Sequence, residues 1–148
     1  MFIRKAEIED LDQIVEIDRS AFETDAYGIF VVRQLFDLFP HLVFISELPL
    51  TNEIIGYIIG GISESGTEGW ILALGISEQY RRGGIGEALS NQLISEMRQL
   101  KLQKIRLTVK PSNAAAKSLY KKLGFQKLGY AVNYFGEGQD REVLFLGL

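Results

Sequence analysis

The run Trp70-Ile71-Leu72-Ala73-Leu74-Gly75-Ile76, followed by Gln79-Tyr80-Arg81-Arg82-Gly83-Gly84-Ile85-Gly86, decides how this chain is organised. The first segment is almost continuously apolar, the pattern of a strand buried on both faces. After the second, Ile85, Ala88, Leu89, Leu93, Met97 and Leu100 recur at three- and four-residue steps and predict a helix with one apolar stripe. Arg81, Arg82, Gly83, Gly84 and Gly86 stand in the turn between them. Glycines let an anion approach the backbone, and a helix start offers unpaired N–H groups and the positive end of its dipole. The turn is therefore expected to hold a pyrophosphate.

Two common phosphate loops share this strand–turn–helix order, and neither fits. A Walker loop requires Lys and then Ser or Thr after its last glycine, whereas Gly86 is followed by Glu87 and Ala88. A dinucleotide fingerprint requires a small residue where Leu89 stands and an acidic strand end about 20 residues on, where this chain runs from Lys104 to Lys110.

Outward from the turn, Phe2 to Lys5 predicts a first strand and Asp10 onward a helix. That helix carries Leu11, Ile14, Val15 and Phe22 on one face, with the acidic Asp18 among them. A second helix is expected from near Gly28 to Phe39, ended by Pro40, and a strand pair from Leu42 to Glu47 and Ile54 to Ile62. Beyond the long helix, Ile105, Leu107 and Val109 alternate with Arg106, Thr108 and Lys110 as in a strand. Asn113 is a good N-cap for a short helix stopped by Gly124, and two last strands flank Gly136-Glu137-Gly138, around Phe125 to Tyr134 and Val143 to Leu146. The order β-α-α-β-β-β-α-β-α-β-β is an α+β arrangement on one mixed sheet.

A chain of 148 residues, 47% hydrophobic, predicts a single domain over 1–148, with no linker, repeat or low-complexity run. No segment reaches the roughly 18 apolar residues of a membrane span, and the start lacks the apolar stretch of a signal peptide. With no cysteine there is no disulfide framework, and the cytoplasm is the expected location. The net charge of −3 argues against a general nucleic-acid surface. Having His41 alone and no cysteine removes most zinc sites and every Cys-His or Ser-His nucleophile, so no metal is expected, and any group transfer would go without a covalent intermediate on such a nucleophile.

The spacing Arg81-x-x-Gly84-x-Gly86 resembles the coenzyme A pyrophosphate loop of the GCN5-related N-acetyltransferase (GNAT) family. Val109-Lys110-Pro111-Ser112-Asn113-Ala114-Ala115-Ala116-Lys117-Ser118-Leu119-Tyr120-Lys121-Lys122-Leu123-Gly124-Phe125 is similar to that family's second signature. The resemblance implies a GNAT fold, a mixed sheet of about six or seven strands flanked by about four helices. It implies acetyl-CoA as co-substrate and, as acceptor, a protein or peptide N-terminus or a small amine, in a monomer or weak homodimer. A catalytically silent acyl-CoA-binding module is the alternative of a different class.

Carried over residue by residue, the resemblance sets the backbone of Leu74, Gly75 and Ile76 beside the pantetheine arm and Arg81, Arg82, Gly83, Gly84, Ile85 and Gly86 on the pyrophosphate. Gly75 within an apolar strand signals either a bulge that opens the sheet or simple packing relief. Tyr120 corresponds to the acid that protonates the departing sulfur; a phenol near pKa 10 suits a thiolate whose thiol lies near 8.5. Its alternative role is a core aromatic with Leu119, Leu123 and Phe125. Asn113 either caps its helix alone or also contacts coenzyme A.

Thr108 stands where related ribosomal-protein acetyltransferases carry a glutamate base, and Glu68 is the expected substitute, with an exposed turn charge as its alternative role. Asn133-Tyr134-Phe135 and Gly138-Gln139-Asp140 resemble a loop of N-terminal acetyltransferases that shields the substrate. Tyr27, Thr108 and Tyr134 are accordingly expected at the acceptor, with Glu23 and Asp25 either attractors for a cationic amine or charges of a solvated loop.

Overall fold

The computed structural model describes residues 1–148. Strand β1 (Phe2–Lys5) leads into helix α1 (Leu11–Phe22) and, through a 3-10 turn at Glu23–Asp25, helix α2 (Gly28–Leu38). Strands β2 (Val43–Glu47), β3 (Ile54–Ile62) and β4 (Glu68–Ile76) follow, then helix α3 (Ile85–Gln99), strand β5 (Lys104–Val109), helix α4 (Ala114–Lys122) and strands β6 (Gln126–Ala131) and β7 (Arg141–Gly147). The seven strands run in the order β1-β2-β3-β4-β5-β7-β6. The β4–β5 pair is parallel, and the β1–β2, β2–β3, β5–β7 and β6–β7 pairs are antiparallel, so the sheet is mixed. Four helices and seven strands are the expected α+β fold, in the expected order.

The chain forms two compact units, one of residues Met1–Gly61 and Ile71–Glu96, the other of Ile62–Trp70 and Met97–Leu148. In the first, alternation along β3 sends side chains to two layers. Tyr57 and Ile59 join Ile14, Val15 and Ile17 of α1 and Val32 of α2 in one core cluster. A Cβ on Gly56 would meet Ile85 and Leu89 of α3 on the other side. In the second unit, Ile105, Leu107 and Val109 alternate inward along β5, and Tyr120, Phe125 and Leu144 are buried with them. Gly124, at φ +98, ends α4: its N–H bonds to the Lys121 carbonyl and the Phe125 N–H to that of Tyr120, as the glycine stop predicts.

The last two strands differ from expectation. β6 stops at Ala131, because Asn133 adopts φ +54 and begins a turn, and β7 starts at the polar Arg141. Glu142 is admitted to a buried strand position because Lys117 and Lys127 each lie 3.0 Å from its carboxylate. No helix is long and apolar enough to cross a membrane.

Candidate functional site

The ladder between β4 and β5 is short: Glu68, Gly69 and Trp70 stand opposite Lys104, Ile105 and Arg106. The six remaining residues of β4, Ile71 to Ile76, lie beyond it. Two side chains reach backbone carbonyls in that stretch. The Tyr27 hydroxyl donates to the Leu72 carbonyl at 2.6 Å and Arg81 Nε donates to that of Ile76 at 3.2 Å. Residues two apart on a strand share a side, so Leu74 presents its backbone N–H and C=O between these two anchors.

From Ile76 the chain turns through Glu78–Tyr80 into the glycine loop. Arg81, Arg82, Gly83 and Gly84 are exposed, with Arg82 at φ +66 and Gly84 at φ +81. No atom lies within 4 Å of where a Cβ on Gly84 would stand, so the glycine is required by backbone conformation and leaves open space above it. The N-terminus of the fifteen-residue α3 follows directly. Open space, a left-handed turn and unpaired N–H groups are what an oxyanion needs.

Gly75 has a packing reason. A Cβ there would lie 2.5 Å from Tyr57 Cε1, so the glycine makes room for the Tyr57 ring. Tyr57 is fully buried and donates its hydroxyl to Asp18 Oδ1 at 3.0 Å. Burial, followed by the charge and hydrogen bond of Asp18, pushes the Tyr57 phenol far above its usual range. Asp18 Oδ2 accepts the Gly28 N–H at 3.0 Å, at the start of α2. This pair is absent from the sequence expectations, although an acid in the apolar stripe of α1 is a signal of a buried polar contact.

In the second unit, Tyr120 is buried on α4, its ring edge-on to Phe125 with centroids 5.4 Å apart. Desolvation alone raises its phenol above the usual tyrosine range, so it holds its proton at neutral pH. Asn113 caps α4 by accepting the Ala116 N–H at 3.1 Å on its amide oxygen, and the residue is exposed. Thr108 is half-buried on β5 opposite Val143.

Glu68 is a structural ion pair in this fold, not a free base. Its carboxylate lies 2.9 Å from Arg106 Nε and 3.5 Å from Lys104 Nζ. It also begins β4, whose nine residues put it roughly 26 Å of strand from the end that enters the glycine loop. Parallel pairing sets Glu68 beside Lys104 and Arg106, and that neighbourhood is invisible in the local sequence.

The loop after β6 is braced from within. Asp140 accepts the Asn133 N–H and the Tyr130 hydroxyl, both at 2.8 Å, and Asn133 Oδ1 accepts the Gly138 N–H at 2.9 Å. Tyr134 packs edge-on against Phe135, which lies under the Arg141 guanidinium at 4.9 Å. Tyr134 and Phe135 remain exposed at 44% and 60%.

A model of the acetyltransferase (GNAT) family matches residues 9–125. The chain belongs to the GNAT acetyltransferase family. It is 32% identical over 149 residues to an N-alpha-acetyltransferase of Sulfurisphaera tokodaii, covering 93% of this chain and 87% of that one. Among solved structures, this GNAT protein superposes on Ard1 from Thermoplasma volcanium with a TM-score of 0.89 at 24% identity, over 99% and 97% of the two chains. It superposes on the NatC complex bound to Gag peptide and CoA with a TM-score of 0.90 at 24% identity, over 99% and 98%. At these identities the likeness is one of fold. As a GNAT enzyme the protein is an N-acetyltransferase, and the stretch Arg81–Gly86 and the helix around Tyr120 both lie inside the matched residues.

Proposed function

We propose that this acetyltransferase moves the acetyl group of acetyl-CoA directly onto the N-terminal α-amine of a protein or peptide. The observation that carries the cofactor is the short β4–β5 ladder: six residues of β4 extend beyond it and run into an open glycine loop at a helix start. An amide-bearing arm pairs with such a strand as a further strand would, and its pyrophosphate suits the loop. Leu74, Gly75 and Ile76 would hold the arm, Gly83 to Gly86 the phosphates by backbone N–H groups, and Arg81 and Arg82 would add charge. Asn113 would reach the cofactor with the amide NH2 that its cap leaves over. That the family model runs across both compact units supports one acetyltransferase domain over 1–148.

The α-amine is supported by the relatedness to an archaeal N-alpha-acetyltransferase and by Thr108, which cannot act as a base. An α-amine near pKa 7.7–8.0 is roughly a tenth neutral at pH 7, whereas a lysine near 10.4 is neutral in about one molecule in 2,500. With Glu68 committed to Arg106 and Lys104, a site without a base selects the acceptor that deprotonates by itself. Acetyl-CoA supplies a thioester, and attack by the neutral amine releases its sulfur as a thiolate. Tyr120 holds a proton at Oη for that sulfur. Its raised pKa makes it a weaker acid, which the same low-dielectric surroundings offset by disfavouring the thiolate. Tyr27, Thr108 and Tyr134 would line the acceptor.

Peptides with free N-termini should be acetylated far faster than the same peptides blocked at the N-terminus and carrying lysine, with the acetyl group located by mass spectrometry. Tyr120→Phe should lower kcat by about 10²–10⁴ at unchanged acetyl-CoA affinity. Acetylation confined to lysine or to small polyamines overturns the α-amine acceptor, and wild-type turnover in Tyr120→Phe reduces Tyr120 to packing.

A further inference from the structure

We propose that Asp18 and Tyr57 are positioning residues for the acceptor, fixing the turn between α1 and α2 against β4 where the acetyl group is presented; this rests on the cofactor placement proposed above. Along β4 the order is set by the glycine loop, which follows the strand's C-terminal end. A pantetheine arm leaving that loop passes Ile76 and Leu74 first, so its acyl end points toward Leu72. The Leu72 carbonyl is where the Tyr27 hydroxyl is anchored, at 2.6 Å.

The turn that carries Tyr27 also carries exposed Glu23 and Asp25, and Glu23 adopts φ +51, a costly conformation for a residue with a side chain. Such a turn keeps its shape only if it is over-determined by its surroundings. Its junction with α2 is held twice, by the Tyr27 hydroxyl on Leu72 and, from beneath, by Asp18: 1% exposed, Asp18 accepts the Gly28 N–H and the Tyr57 hydroxyl on its two oxygens. Tyr57 in turn lies in the space that the missing Cβ of Gly75 leaves on β4. The turn is thereby registered to β4 twice, at Leu72 through Tyr27 and at Gly75 through Tyr57 and Asp18.

A buried carboxylate is a poor choice for stability alone, since an apolar residue of similar volume avoids its desolvation. Its use here, on the apolar face of α1, fits a device whose task is to fix one geometry for the acceptor turn.

The test is steady-state kinetics on Tyr57→Phe, Tyr27→Phe, Asp18→Leu and Asp18→Asn, with whichever amine the wild type acetylates. Tyr57→Phe, Tyr27→Phe and Asp18→Leu should each raise the acceptor KM about ten-fold while the acetyl-CoA KM stays within about two-fold. Asp18→Asn should stay near wild type, because its amide oxygen still accepts the Gly28 N–H and its NH2 can donate to the Tyr57 oxygen. Purely structural residues would lower the active fraction, reducing kcat with both KM values unchanged, and that result overturns the proposal. Should Asp18→Leu fail to fold, Tyr57→Phe decides, since it loses only one hydroxyl remote from the acceptor. Hydrogen exchange provides a readout independent of activity: amides from Glu23 to Gly28 should exchange faster in Tyr57→Phe than in wild type, and unchanged protection there also overturns it. A wild type inactive on peptides but active on another amine removes the α-amine reading and leaves this test intact.

Discussion

The turn between α1 and α2 and the loop between β6 and β7 each present an aromatic side chain assigned to the acceptor, Tyr27 and Tyr134, yet they are held in opposite ways. The first is fixed from below by buried groups far apart in sequence, Asp18 and Tyr57. The second fixes itself, with Tyr130, Asn133, Gly138 and Asp140 bonding to one another at the surface. A buried polar bond resists loss because breaking it strands a desolvated group, whereas an exposed one is replaced by water at little cost. The α1–α2 turn should therefore be sensitive to distant core substitutions, and the β6–β7 loop to its own residues and to solvent conditions.

The largest effect is expected from Gly75→Ala. Its Cβ would press on the fully buried Tyr57 ring, and overpacking of this kind costs about 1–3 kcal/mol. Urea unfolding should show that loss, together with a raised acceptor KM; full stability would mean that the ring has room to move and the brace is soft. Asn133→Ala should cost less, about 1 kcal/mol, by placing alanine at φ +54 and removing the acceptor for the Gly138 N–H. Asn133→Gly keeps the conformation and loses only the bond, so it should fall between wild type and alanine. Equal losses in the two variants would show that the backbone turn matters little.

The smallest effect is electrostatic. The Asn133 N–H and then the Tyr130 hydroxyl hold the Asp140 carboxyl below its usual range, and the bond to Asp140 raises the Tyr130 phenol. A depressed carboxyl pKa adds stability above the unfolded value, near 3.9, which is lost as pH falls through the lower folded value. The loop should therefore loosen in acid, and again in alkali as pH rises past the ordinary tyrosine value near 10, visible in the Asn133 amide by NMR, with no change between pH 5 and 8. Asp140→Asn should return the Tyr130 titration toward about 10, read by absorbance. An unshifted Tyr130 would show that the bond does not persist in water.

The difference between the two regions is also the difference between what was legible and what was not. The glycine turn, the α3 stripe, the Asn113 cap and the Gly124 stop are local signals, each read within a few residues, and all four stand in the structure, except that Leu100, expected on the stripe, lies past the end of α3 and is exposed. The β6–β7 loop was legible in part, through Asn133 and its glycines, but its strands were misjudged at Arg141 and Glu142. Lys117 and Lys127 make that buried position tolerable for Glu142. Glu68 looked available because its cationic partners lie 36 and 38 residues away, on β5.

By itself the sequence determined the order of the elements, the mixed α+β class and the glycine turn before α3, because hydrophobic period, caps and glycine conformations act over one or two turns of chain. Only the tertiary structure decided what Gly75 makes room for, why Asp18 lies in an apolar stripe and that Glu68 is already paired. Those facts depend on which strands and helices meet, and that is set by packing the whole core, which no local stretch of sequence encodes.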